Sequence, residues 1–265
     1  MKNVFQKLAA ITTIIVLASC SKNDDSYTGG GNPAPTVNKI VFSAAGDSAG
    51  ILTKLNEFRV FAGDPLNNVP GATVGRREVN WDGVPATFTN NNNYPFDFFG
   101  SSDPVLGNAR KRGLITNTNT AFRLDSTDFS ELEPSYASQF EPFSKKKLFA
   151  PMGSTVTEVT FKVAGTNTDA FVKGFAVIFS DVDLANITTV EYFNGNKSLG
   201  VFKALPASQG FSLVGVGFPD EKVTRVKITS GNGLLAAGVK DISNGGTKDL
   251  VVMDDFLYSE PQPLQ

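Results

Sequence analysis

Short runs in which apolar and polar residues alternate every second position dominate this chain, and turn residues close most of them. Residues 38–43 place Ile40 and Phe42 on one parity and Val41 on the other, which predicts a first strand. The period then changes. Ile51, Leu52, Leu55, Phe58 and Phe61 recur at helical spacing, Asp47 or Ser48 can cap the start and Gly63 can end it, so one short amphipathic helix is expected. Residues 76–85 set Arg77, Val79 and Trp81 against Arg76, Glu78, Asn80 and Asp82, a strand closed by the Asp82-Gly83 turn.

Further on, residues 113–117 and 121–125 read as paired strands across Thr118-Asn119-Thr120. Residues 125–143 are acidic and interrupted by proline, which predicts a long surface excursion. The Lys145-Lys146-Lys147 run reads as a solvated face. Strands are then expected at 155–163, 171–183, 188–193, 198–203, 211–218, 223–229 and 249–258. Asn194-Gly195 is the strongest hairpin signal, because both residues tolerate the positive backbone angles of a tight turn. Val226 and Ile228 alternate with Arg225 and Lys227, giving one buried and one wet face. The expected fold is all-β and mainly antiparallel, a jelly-roll-like β-sandwich with one short helix near the start of a single domain spanning 37–265.

The first 36 residues follow another logic. Lys2 and Lys7 precede an apolar run at 8–17, then the small residues Ala18 and Ser19, the layout of an export signal over 1–19. The run is about half the roughly 20 residues that a bilayer-spanning helix needs. Leu17-Ala18-Ser19-Cys20 resembles the lipobox of bacterial lipoproteins. That resemblance implies cleavage before Cys20 and acylation of its thiol and new amino group, palmitate being one such acyl chain. Two or three chains anchor stably where one does not. Residues 20–36, rich in Gly, Pro, Asn and Thr, read as a lipidated flexible linker. The stretch after the cysteine, Ser21-Lys22-Asn23-Asp24-Asp25, resembles that of surface-exported lipoproteins of Bacteroidetes-type bacteria and so implies an outer-membrane, surface-exposed location; a plain solvated tether is the alternative.

Composition narrows the chemistry. The formal charge of -2 becomes -4 once Lys2 and Lys7 leave with the signal, so no basic field exists to attract nucleic acid. Cys20 is the one cysteine, and histidine is absent. These two facts exclude thiol nucleophiles, disulfides, histidine-ligated metals and the serine-histidine hydrolase machinery. Carboxylates, hydroxyls, amides, Lys, Arg and aromatic faces remain; carboxylates can cleave glycosides or bind calcium.

Four aspartates stand out. In residues 250–258 both parities are apolar, so Asp254 and Asp255 point to opposite faces of a central strand unless a bulge intervenes, and at least one must be neutralised, paired or metal-bound. Arg77 is one candidate counter-charge. Asp181 and Asp183 share a parity at the end of another strand apolar on both faces; together with backbone carbonyls they suit calcium, whereas an exposed strand end is the plain alternative. Trp81, the single tryptophan, could stack on a sugar or fill the core, and Asp82 and the aromatic stretch from Tyr94 to Phe99 could line the same groove or pack beneath it. Val252-Met253-Asp254-Asp255-Phe256-Leu257-Tyr258 is similar to the last strand of carbohydrate-binding jelly-roll modules. That resemblance implies a structural calcium near an aspartate and a glycan ligand. Residues 75–83, 174–183 and the final strand together also look like a group of uncharacterised bacterial secreted proteins.

Three function classes follow. The first is a non-catalytic, lipid-anchored surface protein that binds a glycan or another extracellular polymer. The second is a carboxylate glycoside hydrolase or calcium-assisted lyase using Asp181, Asp183, Asp254 or Glu78. The third is a structural or adhesive surface protein, or a subunit of an outer-membrane complex.

Overall fold

The computed structural model describes residues 36–264. The expected signal peptide, Cys20 and all but the last residue of the expected linker lie outside the described residues. No helix among the described residues is long and apolar enough to cross a membrane.

The strands in chain order are β1 (Ile40–Gly46), β2 (Arg76–Val79), β3 (Leu114–Thr116), β4 (Ala121–Asp125), β5 (Leu148–Met152), β6 (Val156–Lys162) and β7 (Asp169–Phe171). They continue as β8 (Gly174–Val182), β9 (Thr189–Asn194), β10 (Lys197–Lys203), β11 (Ala207–Gly217), β12 (Arg225–Thr229), β13 (Val252–Ser259) and β14 (Gln262–Pro263). One α-helix, α1 (Ser48–Ala62), follows β1. The first sheet runs β1-β11-β8-β13-β5-β4, with β2 also paired to β13; the second runs β10-β9-β12-β6-β7-β14, with β3 also paired to β6. Every ladder is antiparallel, so the expected all-β sandwich with one helix near its start is the observed architecture.

Alternation explains what fills the sandwich. Phe175, Val177 and Phe179 of β8, Val214 and Val216 of β11, and Val226 and Ile228 of β12 share one core between the sheets. Residues of opposite parity on the first sheet, Ala176, Ile178, Leu213 and Leu257, meet Ile51, Leu55 and Phe58 of α1 instead. The helix therefore covers the outer face of the first sheet, and this is why β8 and β13 read as apolar on both faces. Asp47 caps α1 by accepting a hydrogen bond from the Gly50 N–H at 2.7 Å, and Gly63 ends it, as its sequence predicts. Leu52, grouped by spacing with the apolar stripe, is 43% exposed. Phe61 lies where bare backbone permits it: a Cβ on Gly217 would stand 2.3 Å from the Phe61 ring, so only glycine lets the helix sit this close.

The core between the sheets is largely aromatic on one side. Trp81 stacks on Phe149 at 4.3 Å with the rings 9° from parallel, and Phe122 stacks on Phe149 at 5.0 Å. Phe256 meets the indole edge-on at 5.1 Å, and the indole N–H donates to the Asp254 carbonyl at 2.6 Å. Trp81 is fully buried.

Three local expectations change. Residues 114–116 and 121–125 are strands but not partners: β3 pairs with β6 and β4 with β5, so the connection crosses from one sheet to the other. The excursion at 125–143 is only partly surface, since Phe129, Tyr136 and Phe140 form a third apolar cluster with Leu148, Leu235, Leu250 and Val252. Buried Asp125 folds its start inward by accepting hydrogen bonds from Thr127 N–H at 2.8 Å and Phe129 N–H at 2.9 Å. The Asn-Gly hairpin forms with Gly195 and Asn196 in the turn, because Asn194 already pairs with Lys197; Gly195 takes the positive angle, φ 57°.

Strand β13 carries the irregularity that matters most. Met253 pairs with Phe179 and Phe256 with Val177, so Asp254 and Asp255 together stand opposite the single residue Ile178. This is a β-bulge. It lets Met253, Phe256 and Tyr258 all enter the sandwich core while Leu257 faces α1.

Candidate functional site

Of the residues that suggested a sugar platform, Trp81 and Tyr94 are core residues, 0% and 6% exposed. Each ring is covered by other aromatic rings, including one another at 6.0 Å, so neither offers a face to a ligand. Asp82 turns toward Lys146 and Lys147; burial raises its pKa against their pull. Lys147 in turn donates to the Val84 carbonyl, which makes the end of the lysine run structural rather than freely solvated.

The turn that contains Trp81 nevertheless borders a hollow. A cleft of about 290 Å³ is lined by Asn80, Gly83, Pro85, Phe98, Phe99, Ala109, Arg110 and Arg112. The Arg110 guanidinium lies 3.7 Å from the Phe98 ring centre, and its Nε donates to the Phe98 carbonyl at 2.7 Å. The Arg112 guanidinium lies 5.5 Å from the Phe99 ring centre and donates one N–H to the Glu78 carbonyl, while its buried Nε has no partner. Burial, opposed by Tyr258 and reinforced by the charge of Arg77, lowers the Arg112 pKa. Neither arginine pairs with a carboxylate among the described residues. The pair is thus an uncompensated positive centre over an aromatic floor. Sequence reasoning missed it, although Arg110-Lys111-Arg112 is a basic run in an acidic chain.

The bulge is the exception under which Asp254 and Asp255 need not point to opposite faces. Their carboxyl groups approach within hydrogen-bonding reach of each other, and the two residues are 0% and 5% exposed. Burial raises the Asp254 pKa, but Asp254 accepts from the Ser144 N–H at 3.0 Å and the Ser144 hydroxyl at 2.9 Å, bonds that favour its charged form, so of the two it ionises first. Burial, then the Asp254 charge, raises Asp255 well above the carboxylate range, so Asp255 keeps a proton. Arg77 does not neutralise this pair; it donates to Glu260 at 2.8 and 3.1 Å. Among the described residues the carboxylates that gather as three lie elsewhere, so the calcium implied for this strand has only the Asp254–Asp255 pair to hold it here.

That protonation has a measurable sign. The unfolded Asp255 releases its proton near pH 4, whereas the folded one holds it to higher pH, so stability falls as pH rises above about 4 until the folded group titrates. Asp255→Asn keeps the donor to Asp254 without the titration. The variant should gain on the wild type as pH rises from 4 to 8, by at most about 1.4 kcal/mol per pH unit within the window. Denaturant midpoints across that range check this; a constant difference between the two would remove the assignment of the proton to Asp255.

At the far end of β8 the other two aspartates do come together, and they gather a third. One carboxylate oxygen from each of Asp181, Asp183 and Asp241 lies within 4.8 Å of the others. Asp181 sits at φ 66° and accepts from the Gln209 N–H at 2.6 Å through Oδ1, while its Oδ2 is buried without a partner. Asp183 also has a buried Oδ2 without a partner, and Asp249 accepts from the Asp183 N–H at 3.2 Å and the Leu184 N–H at 3.0 Å. Asp241 is held by the Leu250 N–H at 2.7 Å and by the Ser243 N–H and hydroxyl, each at 2.6 Å. Burial raises Asp181 to about 7 and Asp183 to about 6, with neighbouring carboxylates adding to both. Burial would raise Asp241 too, but its hydrogen bonds from Asp183, Ser243 and Leu250 outweigh it and hold it low. Asp241 lies 58 residues from Asp183, outside the strand pattern, and no local signal could have joined them.

Glu78, a candidate for hydrolase chemistry, is held by Arg59 at 2.9 and 3.0 Å and by Arg76 at 2.8 Å. Burial would raise its pKa, but these arginines outweigh burial and lower it.

No protein-family model matches the chain, and no curated protein is similar to it at a level that counts as a match.

Proposed function

We propose that this chain is a non-catalytic, lipid-anchored protein of the outer-membrane surface that binds a glycan or another extracellular polymer, and that an acidic sugar unit enters the Arg110–Arg112 cleft. The anchor rests on the lipobox resemblance at Cys20. The ligand rests on one observation: two arginines without carboxylate partners among the described residues stand over Phe98 and Phe99 beside the cleft. A carboxylate or sulfate group on a sugar would supply the counter-charge that no carboxylate among the described residues gives these arginines. At about 290 Å³ the hollow is at the small end of ligand sites, which suits one ring of a polymer. The hydrolase reading has less support, because Glu78 is neutralised by two arginines and Asp254 is engaged by Ser144.

The test is a binding screen of the full-length chain against polyuronates, sulfated polysaccharides and neutral glucans. Acidic polymers are expected to bind, with affinity reduced about 10- to 100-fold by Arg112→Gln, the effect of losing a charge-assisted hydrogen bond of about 1.5–3 kcal/mol. Binding of neutral polymers alone, or acidic binding untouched by both Arg110→Gln and Arg112→Gln, would refute the cleft as the site.

A further inference from the structure

The carboxylates at the end of β8 have an arrangement that hydrogen bonding within the fold leaves incomplete. Asp181 is 0% exposed, Asp241 is 0% exposed and Asp183 is half-buried, so the group is enclosed by the fold yet open on one side. No lysine or arginine forms an ion pair with any of the three among the described residues. Three carboxylates gathered without a counter-charge repel one another, and burial strengthens that repulsion.

A second and independent feature points into the same place. Gln139, 3% exposed, faces Asp181 and favours its charged form, yet neither its Nε2 nor its Oε1 completes a hydrogen bond. The loop that carries it is fixed from both sides: the Glu141 N–H donates to the Ser180 hydroxyl at 3.0 Å, and the Gln209 amide donates to the Ser138 carbonyl at 3.3 Å. A buried amide with both polar atoms unpartnered is costly, and the fold has nonetheless positioned it against an acidic cluster. An amide flip exchanges the Nε2 that faces Asp181 for Oε1, an oxygen that a cation at the cluster would take as a ligand.

We propose that Asp181, Asp183 and Asp241 bind a divalent cation, with the Gln139 amide oxygen as a further ligand, and that the cation is calcium. The unpartnered atoms Asp181 Oδ2, Asp183 Oδ2 and Gln139 Oε1 are all oxygens, the ligand type that hard cations take. Two oxygens on opposite sides of a calcium ion are about 4.6–5.2 Å apart, and the carboxylate oxygens here lie within 4.8 Å of one another. The half-buried side at Asp183 leaves room for water to complete the shell. The cation would tie the end of β8 to the loop before the single 3-10 turn at Ile242–Asn244 and to the 134–139 segment, three pieces of chain distant in sequence. This site is separate from the arginine cleft and does not depend on it.

The experiment is calorimetric titration of chelator-treated full-length chain with calcium chloride, with the melting temperature recorded in calcium and in chelator. One saturable site per chain and a higher melting temperature in calcium are expected. Asp181→Asn should weaken binding at least tenfold and Gln139→Leu several-fold, whereas Asp254→Asn should leave it unchanged. Because Asp241 also caps its turn through Ser243, Asp241→Asn is a poorer probe; Gln139→Leu breaks no hydrogen bond and serves as the second variant. No heat and no shift in melting temperature would overturn the proposal, as would calcium binding undiminished in both Asp181→Asn and Gln139→Leu. A chain stabilised by Asp181→Asn and indifferent to calcium would mean that a shared proton, not a cation, relieves the cluster.

Discussion

Trp81→Ala is expected to lower the unfolding free energy by about 3–5 kcal/mol, the range for emptying a buried aromatic site. The indole is fully buried, stacked on Phe149 at 4.3 Å and met edge-on by Phe256 at 5.1 Å, so the surrounding rings cannot close over the void without leaving their own contacts. The Asp254 carbonyl also loses the hydrogen bond from the indole, at 2.6 Å, beside the bulge. Trp81→Phe restores most of the volume but not that N–H, and should recover only part of the loss, leaving about 1–3 kcal/mol. Denaturant unfolding followed by circular dichroism is the measurement, since the variants remove the single tryptophan signal. A Trp81→Ala chain as stable as wild type would refute the central role of this stack.

Arg77→Met is expected to cost about 3–5 kcal/mol, because it strands Glu260 as a buried charge. The two side chains are 0% and 2% exposed and joined at 2.8 Å, and Asn67 donates to the other Glu260 oxygen at 2.8 Å. The companion variant Glu260→Gln should be destabilising by a similar amount. The double variant should be far less destabilised than the sum of the two, since a buried ion pair replaced as a pair is close to neutral. Additive losses in that double-mutant cycle would mean that the pair acts by packing rather than by charge.

What could be read along the chain follows from how local each signal is. The helix over residues 48–62 was legible because Asp47, Gly63 and the spacing of Ile51, Leu55 and Phe58 all act within one element. The alternation of Arg77 and Val79 gave the right face of β2 for the same reason, but the strand stops at Val79 and Trp81 sits beyond it in a turn at φ 59°. Pairing was less legible. Residues 114–116 and 121–125 are separated by a short turn-like stretch yet belong to different sheets, and nothing in their own residues says so. Strand β5 was missed because Pro151 interrupts Leu148–Met152. The 125–143 stretch looked wet because its charges outnumber its aromatic anchors, while burial of Phe129, Tyr136 and Phe140 depends on Leu235 and Leu250 a hundred residues away.

The candidate sites divide in the same way. Asp181 and Asp183 were visible from parity alone, but the third carboxylate, Asp241, and the amide of Gln139 arrive from loops. Arg110 and Arg112 carried a compositional hint, while their lack of partners is visible only once the chain is folded.

The doubled position in β13 works as a half-turn in the strand's count. Upstream of it odd-numbered side chains enter the sandwich, downstream even-numbered ones do, so Met253 and Phe256 occupy the same layer although their numbers differ in parity. Shortening the strand by either aspartate would therefore send Phe256 and Tyr258 toward α1 and Leu257 inward, inverting the second half of the central strand. The acidic pair is thereby a spacer whose length, independent of its charge, decides which way the C-terminal aromatic residues look.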